Sequence, residues 1–183
     1  MKPSIRLAVA VLAPIAVAGA AQAATMHLYS YDPADDSAKQ AAGPVTLQVR
    51  QGLFSVTVLN LRSTVAQATA DLSPADARAL GGGGLAALVP PGGDERSLYE
   101  VVKKDEGPEL VSALCPGASR AWLAFGKVGM DRDLKIAVIG AAPGKPAHLC
   151  HVLAYDFRGE WRAPSIGPVM QESDLPHGRF PGS

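Results

Sequence analysis

The chain has 183 residues, 17 basic and 17 acidic side chains, and a formal net charge of zero. With no basic block it lacks the counterion release that drives nucleic-acid binding, and it lacks the polybasic cluster that holds a protein on an anionic membrane. Its length supports one domain with its own core.

Lys2 and Arg6 precede an apolar run from Leu7 to Val17, and small residues lead to Ala21-Gln22-Ala23. A positive start, a short hydrophobic stretch and an A-x-A site make residues 1–23 a secretory signal peptide. Pro14 interrupts the run, which falls short of the roughly 20 strongly apolar residues of a spanning helix. No Cys follows the cleavage region, so attachment as a lipoprotein is not expected. Cleavage removes two basic residues and leaves 183 − 23 = 160 residues with a net charge of 15 − 17 = −2. The processed protein is expected to be periplasmic or extracellular, with no integral membrane span.

Thr25 to Tyr31 reads as a first strand, and Asp32-Pro33-Ala34-Asp35-Asp36 as a turn, because Pro fixes φ and Asp bonds nearby backbone. Lys39 to Gly43 shows no pattern and is expected to be loop. Val45 to Arg50 alternates apolar and polar residues, as a half-buried strand does. Gln51-Gly52 offers a turn into a second run, Leu53 to Leu61, and together they predict a hairpin. Thr64 to Ala70 continues as a third, alanine-rich strand.

Ser73-Pro74-Ala75-Asp76 carries a helix start: a capping hydroxyl, Pro at the first helical position and an acidic residue near the positive dipole end. Gly81 ends this short helix. Four glycines from Gly81 to Gly84, and Pro90-Pro91-Gly92-Gly93, bracket Leu85 to Val89. A surface connection within one domain suits them better than a linker, since the piece before them is too small for a core. No phosphate-loop motif accompanies these glycines.

Leu98 to Val102 predicts a strand, and Glu109 to Leu114 either a short helix or a strand. Trp122 to Phe125 is apolar throughout, and Leu134 to Ile139 suggests a strand buried on both sides. Ala147 to Phe157 is the longest strand candidate, turned by Arg158-Gly159 into Glu160-Trp161-Arg162. The fold expected is mainly β, with α+β as the alternative: an antiparallel sandwich or barrel-like meander with one or two short helices, over residues 24–163. Residues 164–183, with four prolines and few large apolar residues, form a loosely ordered tail.

Cys115 and Cys150 are the only cysteines. Export makes a disulfide between them the expected state. His148 and His151 flank Cys150, and two thiols with two imidazoles are the ligand types of a zinc site. A strand, however, places His148 and Cys150 on one face and His151 on the other, in the row of Leu149, Leu153, Tyr155 and Phe157. The spacing matches no usual zinc pattern, and no Cys, His and Met grouping suggests blue copper. Cleavage after Ala24 would place His27 third in the mature chain, where an amino-terminal copper or nickel site could form; the A-x-A pattern puts it fourth.

Gly117-Ala118-Ser119-Arg120-Ala121 departs from the nucleophile-elbow motif at its last residue and precedes a strand instead of following one. Asp131 and Asp133 flank Arg132 in a turn, without the further oxygen ligands calcium needs. No activated nucleophile or matched acid–base pair is visible, and no catalytic, cofactor-binding or metal residue is assigned. The first expectation is a non-enzymatic exported protein that binds a protein or cell-envelope partner. The alternatives are an envelope metal-binding protein, taking copper or zinc through His148 and His151 or the N-terminus, and a hydrolase with a site not recognisable in sequence. Trp161, Arg158, Arg162 and Tyr99 are the interface candidates, being residue types that anchor interfaces. Trp122 and Phe125 are assigned to the core.

Overall fold

The computed structural model describes residues 25–53, 55–81, 83–89 and 97–161. The expected leader, the expected tail and Arg162 lie outside these residues. The strands are β1 (Thr25–Pro33), β2 (Val45–Gln51), β3 (Val56–Ser63), β4 (Ala68–Pro74), β5 (Ser97–Val101), β6 (Arg120–Phe125), β7 (Leu134–Ala141) and β8 (His148–Trp161). Each pairs antiparallel with its sequence neighbour, and β8 returns to β1, so the sheet closes as an eight-stranded up-and-down barrel. The mainly-β, barrel-like meander is therefore the fold. Three short helices accompany it, against the one or two expected: α1 (Asp36–Ala41), α2 (Gly84–Leu88) and α3 (Gly107–Leu114).

Alternation decides which side chains fill the barrel. On β2, Val45, Leu47 and Val49 are fully buried inward, whereas Thr46, Gln48 and Arg50 point out. An apolar interior behind a polar exterior is the inverse of a membrane-spanning barrel, whose lipid-facing band is apolar. β6 and β7 break the alternation because both of their faces are covered. Ala121, Leu123, Phe125, Ile136 and Val138 join the interior. Trp122, Ala124, Ala137 and Ile139 form a second, outer cluster under Leu80, Leu85, Leu88 and Val89 from the β4–β5 connection. The glycine-rich connection thus covers one side of a barrel whose strands β4 and β5 pair directly with each other.

The up-and-down order sorts the connections to two ends. α1, the 64–67 turn, α3 and the 142–147 turn lie at one end, called here the helical end. Leu110, Val111 and Leu114 of α3, with Ala38 and Ala41 of α1, pack into the interior there and stopper the barrel. Thr25, Trp161, the β2–β3 turn and the β6–β7 loop lie at the opposite end.

Four local expectations are corrected. Lys39–Gly43 is not wholly loop: Asp35 starts α1, one carboxylate oxygen accepting the Ala38 N–H (2.6 Å) and the other the Ala154 N–H on β8 (2.9 Å). Ser73-Pro74 does not begin a helix, because both residues pair with β5. Asp76 instead caps a 3-10 turn, Ala77–Leu80, by accepting the Arg78 N–H. The third strand begins only at Ala68, after a turn through Gln67 at positive φ. Arg158-Gly159 is not a turn: β8 runs unbroken for 14 residues, and its register against β1 shifts where Ser30 faces Gly159 and Tyr31 faces Phe157. A bulge bends a strand without ending it, which lets β8 pair with β7 along its first part and β1 along its second. The region 109–114, left open in sequence, is helical.

Cys115, at the end of α3, and Cys150, on β8, stand at disulfide distance with Cα atoms 5.6 Å apart. Gly140 on β7 makes this approach feasible: a Cβ there would lie 2.2 Å from the Cys115 sulfur and 2.9 Å from that of Cys150. Losing the bridge by the double change Cys115→Ser and Cys150→Ser should cost up to about 4 kcal/mol of loop-closure entropy. Gly140→Ala, which keeps both thiols, should cost about 1–3 kcal/mol through overpacking and leave part of the sample reduced. Urea unfolding and thiol titration would check both.

Candidate functional site

Toward the end away from α1 and α3 the barrel interior is aromatic, with rings carried by β1, β5, β6 and β8. All four tyrosines of the chain point inward: Tyr29, Tyr31, Tyr99 and Tyr155 are each at most 5% exposed. Phe157 meets Tyr29 and Tyr31 edge-on, with ring centroids 6.0 and 5.6 Å away, and Tyr99 meets Phe125 the same way at 5.6 Å. Nearer the opening stand two polar pairs. His27 Nδ1 contacts Glu160 Oε1, and the Tyr29 hydroxyl donates weakly to Gln51 Oε1 at 3.4 Å.

The ladder between β3 and β4 runs only from Asn60 to Ser63 on the β3 side. Closer to the aromatic end the two strands part, and the N–H of Val58 has no β4 partner. The Tyr99 hydroxyl accepts it at 3.2 Å, so a side chain takes the place of a missing ladder bond. A recess of about 320 Å³ opens beside this gap, lined by Val56, Val58, Ser97, Tyr99 and Gly126 to Val128. That volume is at the small end of ligand pockets. A second, solvent-open groove of about 500 Å³ runs past Ser73, Glu100, Lys103 and Arg120. There Arg120 donates to Glu100 at 2.8 Å and stacks 4.7 Å over the Trp122 ring, so its charge is already engaged.

Exposed apolar side chains concentrate around the aromatic end. Met26, Leu53, Met130 and Trp161 are four of the six large hydrophobics exposed among the described residues, and all belong to strand ends or connections there. Single exposed apolar residues are ordinary; their grouping on one rim is what marks a surface.

The residues singled out in sequence separate accordingly. Trp161 is on the rim and 61% exposed. Arg158 is exposed and pairs with Asp32 at 3.4 Å. Tyr99 is corrected: it is an interior residue bonded to β3, and its ring does not face outward. Cys115, Cys150 and His148 meet at the helical end, whereas His151 is half-buried and outside their group. His27 turns inward to Glu160. Ser119 donates its hydroxyl to the Ala141 carbonyl at 3.2 Å. The His27–Glu160 and Tyr29–Gln51 pairs were missed in sequence. Finding the first requires the register that sets Tyr29 against Glu160 across the closing seam, and the second the register of β1 on β2; no local motif carries either.

No family model matches the chain, and no curated protein or solved structure matches it.

Two consequences concern the buried phenols. The hydroxyls of Tyr31 and Tyr155 have no hydrogen-bond partner among the described residues. The backbone of Gly129 approaches the Tyr31 hydroxyl without meeting bonding geometry and works against the effect of burial. Removing an unpaired buried hydroxyl is neutral or stabilising, whereas removing one whose partner stays buried costs about 1–3 kcal/mol. Tyr155→Phe should therefore leave urea stability unchanged or raised, and Tyr99→Phe, which strands the Val58 N–H, should lower it by about 1–2 kcal/mol.

Burial also pushes the pKa of Tyr31 and Tyr155 well above that of a free phenol, reinforced by neighbouring Tyr29 and Asp35 respectively. In the unfolded chain these phenols ionise near pH 10, while in the barrel they keep their protons. The unfolded state then binds fewer protons, so stability is intact below about pH 10 and falls as pH rises above it. An alkaline titration should show phenolate absorbance from these two residues appearing together with unfolding, not before it.

Proposed function

We propose that the protein acts after export, in the periplasm or outside the cell, as a non-enzymatic binding module that meets a macromolecular partner through the aromatic end of its barrel. The signal-peptide pattern of residues 1–23 supports export, as does the pairing of its only two cysteines at disulfide distance. No helix among the described residues is long and apolar enough to cross a membrane.

The observation that carries the reading is the grouping of exposed Met26, Leu53, Met130 and Trp161 at one end of the barrel, with a small recess in the wall there. Trp161 is its anchor, because a large amphipathic ring gains most from burial at an interface. Arg158, tied to Asp32, sits on the outer wall nearby and would form part of a polar fringe. The recess suits one apolar side chain or a short segment of the partner better than a large free ligand.

A photo-crosslinking residue placed at Trp161 should capture the partner from envelope extracts, whereas one at Arg62, on the outer wall of β3 near the helical end, should not. Trp161→Ala should reduce capture by the purified processed protein about thirtyfold, the loss of about 2 kcal/mol typical of an anchor residue. Its own stability should change by less than about 0.5 kcal/mol, as expected for an exposed side chain. Equal capture at both positions would sink the proposal.

A further inference from the structure

Cys115 ends α3 and is buried, Cys150 is half-buried on β8, and His148 is exposed two residues before it. The Nε2 atom of His148 lies 3.9 Å from the Cys115 sulfur and 3.8 Å from the Cys150 sulfur, and the three atoms all fall within 4.8 Å of one another. In the oxidised chain the two sulfurs are committed to each other. Reduced, they would be two thiolates beside an accessible imidazole nitrogen.

We propose that reduction of this disulfide by a small dithiol opens a site for one soft d10 ion, Zn(II) or Cu(I), held by Cys115 Sγ, Cys150 Sγ and His148 Nε2. The reaction balances. The dithiol gives up two electrons and two protons and becomes a cyclic disulfide, the Cys115–Cys150 bond breaks to two thiols, and the arriving ion displaces their two protons.

Geometry favours the site. Zinc binds thiolate sulfur at about 2.3 Å and imidazole nitrogen at about 2.0 Å, so each sulfur stands roughly 3.5 Å from the nitrogen at tetrahedral angles and roughly 3.7 Å at trigonal ones. His148 already stands near the trigonal span from both sulfurs. Only the sulfur pair has to move far, opening to about 4 Å for the same bond lengths at the trigonal angle. Gly140 faces His148 across the β7–β8 ladder and carries no side chain into this volume, where a Cβ would strike both sulfurs. Two thiolates and one imidazole suit Zn(II) and Cu(I), whereas Mg(II) or Ca(II) would demand oxygen ligands. His151 takes no part: it faces Val138 beyond the register shift and does not belong to the group. The exposed imidazole gives the ion a route in and leaves one coordination position open to water.

This site lies at the helical end and does not depend on the binding surface proposed above. Disulfide and metal are exclusive uses of the same two sulfurs, so the corner reports the redox state of its surroundings.

The test uses the full chain, fully reduced and then freed of dithiol without air, titrated with Zn(II) against a chromophoric chelator. One equivalent should bind, and the oxidised chain should bind none under the same conditions. His148→Ala should weaken binding at least about tenfold, and His151→Ala should leave it unchanged. Reduction will cost stability, so near-ultraviolet circular dichroism is followed in parallel. If the reduced chain unfolds, one equivalent of zinc should restore its fold, since binding to a native site is folding energy. Failure to bind, binding undiminished in His148→Ala, or binding that leaves an unfolded chain unfolded would each overturn the proposal.

Discussion

The seam between β1 and β8 is the constraint on which everything else rests. Residues about 130 apart in sequence pair there, from Leu28 with Trp161 to Pro33 with Tyr155. Without this seam the sheet would keep two unpaired edges, each a template for pairing with another chain. With it the sheet closes on itself, and the interior becomes one continuous core from Tyr29 to Tyr155. Asp35 reinforces the seam by capping α1 with one oxygen and binding the β8 backbone with the other. One carboxylate therefore couples the helical stopper to the closure of the sheet.

Closure also explains why β8 must be long and irregular. It serves two neighbours, β7 at its start and β1 at its end, and no straight strand follows both around a small barrel. The two register shifts, at Val138/Ile139 and Ser30/Tyr31, are where it bends. The first shift lies opposite Cys150. Across it Leu149 packs into the outer cluster while Leu153 packs into the interior, a break that uninterrupted alternation forbids, and Cys150 at the shift packs against the interior. The bend that closes the barrel thus also brings the Cys150 sulfur toward Cys115. The second shift frees Arg158 from the ladder on the outer wall, close to Trp161.

Much of this architecture was legible from local patterns. The alternation of Val45 to Arg50 and the unbroken apolar stretch of Trp122 to Phe125 each reported how many faces of the strand are covered. The pairing of Cys115 with Cys150 followed from there being only two cysteines. What stayed hidden was set by distant partners. Arg158-Gly159 reads as a turn because glycine and a charged residue punctuate strands, yet a bulge uses the same residue types. The row of Leu149, His151 and Leu153 was drawn by strict alternation and fails at a shift that only β7 reveals. Tyr99 has the composition of an interface anchor, but its phenol is bound to β3, which it meets only in the closed barrel. The leader-like start was read from the order of its basic, apolar and A-x-A parts and the proline-rich end from composition, and both lie outside the described residues.

The two ends of the barrel differ because closure is complete at one and partial at the other. At the helical end β3 and β4 keep their ladder, α1 and α3 supply side chains to the interior, and the cysteines lock α3 to β8. At the aromatic end the same strands separate, and cohesion passes from backbone bonds to phenols and edge-on rings. A ladder bond has one geometry, whereas stacked rings tolerate small displacements of the strands that carry them. The helical end instead brings the two sulfurs and the His148 nitrogen together. The difference between the two ends follows from where β3 leaves β4.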